Sequence, residues 1–392
     1  MADVKLQTIP VGSLGIIAMD NIKSLSEKVD AYVASWRSER EKTSDENALH
    51  FMGYQRDSYI LEARAPRFGS GEGKGQILES VRGMDVYILV DVLNYSLTYK
   101  LCGMINHYSP DDHYQDLKRI IGAIQGKANR ISVIMPFLYE SRQHRRTARE
   151  SLDCAEMLQE LFALGIENFI TFDAHDPRVQ NAIPNKGFEN VPCTYQFIKA
   201  LVRSAPDIRF DSDHLVVISP DEGGTSRAVT FANYLNVNVG MFYKRRDYTR
   251  IVNGTNPIIA HEYLGNDLDG KDVLIVDDMI SSGGSMLEVA RELKARNANR
   301  VFVAATFGLF TNGLEKFDKA YEDGYITKVL TTNLTYQKPE LFERPYYVSV
   351  DLSKYIALII DTLNHNGSLA DLLSPTDRIN RFLEKHRKEI GE

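Results

Sequence analysis

The stretch KDVLIVDDMISSGGSMLEVARELKA, residues 271–295, decides how the chain folds. Asp272–Val276 is an apolar run after its first residue and reads as a buried strand. It is followed by two carboxylates, Asp277 and Asp278, where a strand is expected to leave the core and meet water. Gly283 and Gly284 come next, and glycine lets a backbone turn sharply and approach a ligand closely. From Met286 to Leu293 the apolar residues recur at helical spacing. A strand, a small-residue loop and a helix start form the geometry in which backbone N–H groups hold an anion. Ser282 or Ser285 would otherwise serve as an ordinary N-cap, but a cap accounts for neither aspartate. The acidic pair calls for hydroxyls or a metal. Both demands together point to a sugar phosphate.

Working outward, the same style repeats. Segments such as DVYILVDV, RISVIMPFL, ENFITFDAH, HLVVISPDEGG, VNVGMFYKRR and RVFVAATFG read as strands. Between them DDHYQDLKRIIGAIQGKA, ARESLDCAEMLQELFALG, TYQFIKALVRSA and SRAVTFANYLN read as helices, with Gly165 closing the second. Residues 21–48 form a charged amphipathic helix with a solvated tail. Alternation of this kind predicts an α/β fold of mostly parallel sheets, with ligand loops at the carboxyl ends of the strands. We divide the chain into two such domains, 1–190 and 191–392.

Four further loops carry polar chemistry. SPDEGGTSRA places Asp221 before a glycine pair, as a metal or nucleotide contact or as a helix cap. FDAHDPRVQ places His175 two residues after Asp173, with metal contact as one reading, although hard Mg²⁺ prefers oxygen. FYKRRDYTR sets Lys244, Arg245 and Arg246 at a strand end, where fixed cations would stabilise charge spreading over phosphoryl oxygens. The polar segment from there to Pro257 suits a flap. SRQHRRTARE carries Arg142, Arg145, Arg146 and Arg149, a cluster for a triphosphate or for a subunit salt-bridge network. RFGSGEGKGQ, from Arg67, has too many glycines for a helix. It fails the P-loop pattern because Gly75 follows Lys74.

Composition sets outer limits. The chain has 392 residues, is 43% hydrophobic and carries a net charge of −7, so it can build two cores and has no basic bias toward nucleic acid. No apolar window is long enough to span a bilayer, and the N-terminus lacks a secretory pattern. Three widely spaced cysteines fit a reducing, cytoplasmic setting.

In order and approximate spacing, RFGSGE, SVRGMDVYIL, SRQHRR, FDAH, SPDEGG, YKRR and VLIVDDMISSGGS make the chain resemble the ribose-phosphate diphosphokinase (phosphoribosyl-diphosphate synthetase) family, from about Phe68 to His365. The resemblance implies two type I phosphoribosyltransferase-like domains and a Mg²⁺-dependent transfer of the β,γ-diphosphoryl group of ATP to O1 of ribose 5-phosphate, giving PRPP and AMP. It implies ATP contacts from Phe68, Ser70, Gly71, Glu72, Arg142 and Gln143. His175 and Asp221 would be metal-linked, and Lys244 and Arg246 catalytic. Asp277 and Asp278 would take the ribose hydroxyls, and Ser281, Ser282, Gly283, Gly284 and Ser285 the 5-phosphate. Family members form dimers that build hexamers, so a homo-oligomer is expected. The sequence departs from the family's usual Asp-Thr-Gly-Gly-Thr by placing Ser281 where a carboxylate is common. A non-catalytic homologue that assembles with an active synthetase is the alternative this departure raises.

Overall fold

The computed structural model describes residues 9–43, 53–246 and 258–391. They divide into two compact units. The first comprises Met1–Pro192, Asn333–Tyr336 and Asp351–Ser374, and the second comprises Cys193–Thr332, Gln337–Val350 and Pro375–Glu392. Strands are β1 (Leu14–Ala18), β2 (Ala63–Arg64), β3 (Gln76–Ile77), β4 (Asp85–Leu89), β5 (Thr98–Leu101), β6 (Met104–His107), β7 (Arg130–Ile134), β8 (Asn168–Phe172) and β9 (Gly187–Val191) in the first half. They continue as β10 (Leu215–Ser219), β11 (Asn238–Arg246), β12 (Ile258–Leu264), β13 (Asp272–Ile280), β14 (Val301–Gly308), β15 (Lys328–Thr332) and β16 (Tyr347–Val350). Helices are α1 (Lys23–Thr43), α2 (Pro110–Ile124), α3 (Asp153–Ala163), α4 (Thr194–Ser204), α5 (Thr225–Leu235), α6 (Gly284–Ala295), α7 (Glu315–Glu322), α8 (Ser353–Asn364), α9 (Ala370–Leu373) and α10 (Thr376–Ile390).

Unit 1 is built on a parallel sheet in the order β1-β4-β7-β8-β9. Every residue of β4 is buried, as a strand covered on both faces requires. Alternate residues serve opposite faces. Val86 and Ile88 join Val133, Leu117, Ile121 and Leu158 in one core beneath α2 and α3. The other face is closed by α8. Tyr87 shares the Arg130 guanidinium with the Leu363 carbonyl, and the Phe172 and Tyr355 rings meet edge-on with centroids 6.4 Å apart. The helix expected from Ala148 starts at Asp153, and Gly165 follows its end with a positive φ of 98°.

The C-terminal boundary corrects the expected division, because 351–374 belongs to unit 1. The physical reason is a buried polar network. Arg37, on α1, is 1% exposed; its Nε donates to Asp361 at 3.1 Å and its Nη2 to Asn364 at 2.7 Å. Arg40 also donates to Asp361. Asn364 donates to Asp85 at 2.8 Å, and Asp85 is clasped by Arg130 through two bonds of 2.8 and 2.7 Å. Residues 333–336 return to unit 1 in a similar way. The buried Asp91 carboxylate accepts from Thr335 Oγ1 at 2.9 Å and Tyr336 N at 2.7 Å.

Unit 2 carries a seven-stranded sheet in the order β12-β11-β10-β13-β14-β15-β16. All pairs are parallel except β11 with β12. Its core joins Ile218, Ile275, Val289, Leu293, Val303 and Phe317. The expected flap, from Asp247 to Pro257, lies outside the described residues.

Burial raises the proton affinity of Asp361, but Arg37 and Arg40 prevail and hold it below the ordinary carboxylate range. Its stabilising contribution is therefore present above that range and is lost as pH falls through the lowered value. Asp361→Asn removes the counter-charge of the buried Arg37 and the partly exposed Arg40 and should destabilise unit 1 by roughly 3 kcal/mol. Urea denaturation monitored by circular dichroism reads this directly, and a loss below about 1 kcal/mol would show the network to be dispensable.

Candidate functional site

The decisive stretch folds as β13, a turn and α6. The strand does not end at the aspartates; it runs on to Ile280. Pairing with β14 continues through Asp277↔Ala305, Met279↔Phe307 and Ile280↔Gly308, and this ladder keeps the backbone extended. Asp278 is consequently 5% exposed instead of solvated, while Asp277 is partly open. The Asp278 amide donates to Asp277 Oδ1 at 2.8 Å. Arg227, on α5, places Nη1 3.8 Å from the same oxygen. Burial drives the Asp277 carboxyl well above its ordinary range and the negative Asp278 adds to the shift, while Arg227 opposes it.

Beyond the strand, Gly283 is the N-cap of α6, so neither Ser282 nor Ser285 caps this helix. Its φ of 78° lies in the left-handed region, and a Cβ there would strike the Phe317 ring. Glycine is required on both counts. Glycine has no side chain with which to cap the first-turn amides of α6. The hydroxyls of Ser281, Ser282 and Ser285 and these amides therefore flank one turn. The turn rests on the loop after β14, where Thr311 N donates to Ser281 O at 3.0 Å and Leu309 N to Ile280 O at 2.9 Å.

Neighbouring strands bring the other predicted residues of unit 2 to the same carboxyl edge. Asp221 follows β10, the strand beside β13. One of its oxygens accepts from Gly224 N at 3.1 Å, so it closes the turn into α5. Lys244 and Arg246 stand at the end of β11, in register with His261 and Ile258 of β12.

The remaining predicted residues belong to unit 1. Phe68 to Glu72 form a tight turn, with Phe68 N donating to Glu72 O at 2.7 Å and Gly71 N to Phe68 O at 2.9 Å. Ser70 Oγ donates to the Glu72 carboxylate at 3.0 Å, and the Phe68 ring is 54% exposed. Arg142 is exposed, and Gln143 donates to Ser151 O at 2.8 Å. His175 is exposed with its ring 5.5 Å from that of His144. Its neighbour Asp176 is the residue locked in place, accepting from the Arg178 amide at 2.9 Å.

Residues 14–165 match the N-terminal domain of ribose phosphate pyrophosphokinase, and residues 195–341 match the phosphoribosyl transferase domain. The chain belongs to the ribose-phosphate pyrophosphokinase family. The family member from Vibrio parahaemolyticus is 28% identical over 317 residues, 80% of this chain and 91% of the relative. That from a Synechocystis species is 28% identical over 309 residues, 78% and 83% of the two chains. The crystal structure of phosphoribosylpyrophosphate synthetase from Mycobacterium smegmatis shares the fold, with a TM-score of 0.69 at 20% identity, covering 91% of this chain and all of the other. No helix among the described residues is long and apolar enough to cross a membrane.

The sequence reading missed Arg227, whose Nη1 stands 3.8 Å from the Asp277 carboxylate. It lies inside the quoted glycine loop, and its position one turn into α5 is the signal that was there to be read. No group of three or more His, Cys, Asp or Glu side chains that could cage a metal occurs among the described residues.

The raised Asp277 value has a thermodynamic consequence in the ligand-free protein. Its proton is held more tightly folded than unfolded. The associated stability is thus complete below the ordinary carboxylate range and is lost as pH rises toward about 8. Thermal denaturation followed across that window should show wild type losing ground relative to Asp277→Asn. Parallel curves for the two proteins would mean that Asp277 ionises normally.

Proposed function

We propose that this chain is a ribose-phosphate diphosphokinase that joins ATP and ribose 5-phosphate to give PRPP and AMP. The β13–α6 turn carries the reading. A paired acid at the end of the ladder, followed by a glycine-capped helix start flanked by serines, is complementary to a vicinal diol at one end and a phosphate at the other. Its occurrence in one chain with the pyrophosphokinase N-terminal domain favours synthesis of PRPP over its consumption.

In this reading Asp277 and Asp278 accept hydrogen bonds from the ribose hydroxyls, with Arg227 orienting Asp277. Backbone amides at the start of α6 and the hydroxyls of Ser282 and Ser285 hold the 5-phosphate. Ser281 contributes a hydroxyl in place of a carboxylate. Phe68 stacks on adenine, with Ser70, Gly71 and Glu72 shaping its edge. Arg142 and Gln143 engage the nucleotide, and His175 and Asp221 would face its metal. The anomeric O1 hydroxyl attacks the β-phosphorus; an O1–P bond forms, the bond to the AMP oxygen breaks, and the hydroxyl proton is released. Lys244 and Arg246 stabilise the charge on the transferring group. Mg²⁺, where bound with ATP, would supply neutralising charge to the phosphates. No covalent enzyme intermediate is required, since positioning and electrostatics carry such a transfer.

Purified protein incubated with ATP, Mg²⁺ and ribose 5-phosphate should form AMP and PRPP in equal amounts, and chelation of the metal should stop it. Lys244→Ala should lower kcat by about a thousandfold. Asp277→Asn should weaken ribose 5-phosphate binding more than ATP binding. Equal trace rates for wild type and Lys244→Ala would overturn the catalytic assignment.

A further inference from the structure

The glycine-rich run after Arg67 satisfies no phosphate-loop pattern, and its geometry shows a different purpose. Arg67 and Gly73 pair as an antiparallel bridge above the short β2–β3 ladder, so the Phe68–Glu72 turn is the tip of a ribbon. A second ribbon, β5–β6, stands behind that tip. Cys102 N donates to Gly69 O at 3.0 Å. Gly71 has a φ of 91°, and a Cβ there would lie 2.6 Å from Leu101 Cδ1. Cβ atoms at Gly73 and Gly75 would collide with the Arg67 guanidinium and the Arg119 carbonyl. These glycines bring the tip into close contact with its support.

The Arg67 side chain, 5% exposed, is the pin between the two ribbons. Its guanidinium carbon lies 5.2 Å from the Tyr99 ring centre and 4.8 Å from that of Tyr108. Those two rings meet each other edge-on at 4.9 Å, and Tyr108 stacks on His113 of α2 at 5.1 Å. Nη1 donates to Asp116, which also takes Arg119 Nη1 at 2.6 Å. Nε and Nη2 have no hydrogen-bond acceptor. The guanidinium therefore meets two aromatic rings and two carboxylates at once, Asp116 by a hydrogen bond and Asp112 at 3.6 Å, a spread of contacts that a compact lysine ammonium cannot reproduce.

We propose that Arg67 and the β5–β6 hairpin are positioning elements for nucleotide binding, fixing the Phe68–Glu72 tip before ATP arrives. This rests on the assignment of that tip to ATP. An exposed aromatic that is already oriented costs less to order on binding. Slackening its support should raise the KM for ATP selectively.

The test uses the full chain carrying Arg67→Met, Arg67→Lys or Leu101→Ala, with Phe68→Ala as reference. Asp116 keeps Arg119 when Arg67 is lost, so Arg67→Met leaves no orphaned carboxylate. The half-buried Leu101 supplies an independent probe if Arg67→Met does not fold. Each of the three variants should raise the KM for ATP about tenfold, with kcat at saturating ATP and the KM for ribose 5-phosphate changed less than about twofold. Arg67→Lys should fail to rescue. A folded variant with unchanged KM for ATP, or with both KM values rising together, would overturn the proposal. If Phe68→Ala itself leaves the KM for ATP unchanged, the assignment of the tip to ATP fails instead.

Discussion

The structure of the candidate site depends on the confinement of two adjacent carboxylates in one extended strand. Successive residues of a strand face opposite ways, so Asp277 and Asp278 cannot share one environment. One is partly open beside Arg227; the other is buried in the sheet. Burial and the neighbouring Asp278 both favour the protonated form of Asp277. The ladder to β14 on one side and α5 on the other hold them there nonetheless. Such enforced electrostatic tension is common where a protein is shaped for a ligand it has yet to receive.

Much of this was legible in the sequence because the signals were local and strong. Continuous apolar runs between amphipathic helices specify an α/β fold, and glycine after a strand specifies a turn near a ligand. What escaped was set by tertiary context. The extension of β13 through Ile280 depends on pairing with β14, which no local pattern around Asp278 reveals. The β5–β6 ribbon, TYKL and MINH, is half-exposed and weakly patterned. Arg67 looks like any surface arginine until Tyr99 and Tyr108 are seen packed together against it. The role of the Ser70–Gly75 glycines could not be found by motif matching, because their partners, Leu101 and Arg119, lie elsewhere in the sequence.

The two units also distribute the chemistry. The predicted adenine contacts are on ribbon and loop structure of unit 1, where side chains extend outward and need external bracing. The predicted sugar-phosphate contacts are on the edge of a buried sheet in unit 2, where the scaffold is intrinsically stiff. The same demand for preorganisation is met by stacked rings in one case and a strand ladder in the other.

The chain path has a temporal corollary. The first unit's sheet has one face that α8 closes, and α8 is made only after almost the whole of unit 2 has been translated. Emerging from the ribosome, the N-terminal half must therefore wait with Tyr87 and Phe172 uncovered. Contacts such as Arg37 to Asp361 span nearly the full length of the polypeptide, which makes their closure slow. The interval is one in which a chaperone would find exposed apolar surface to hold.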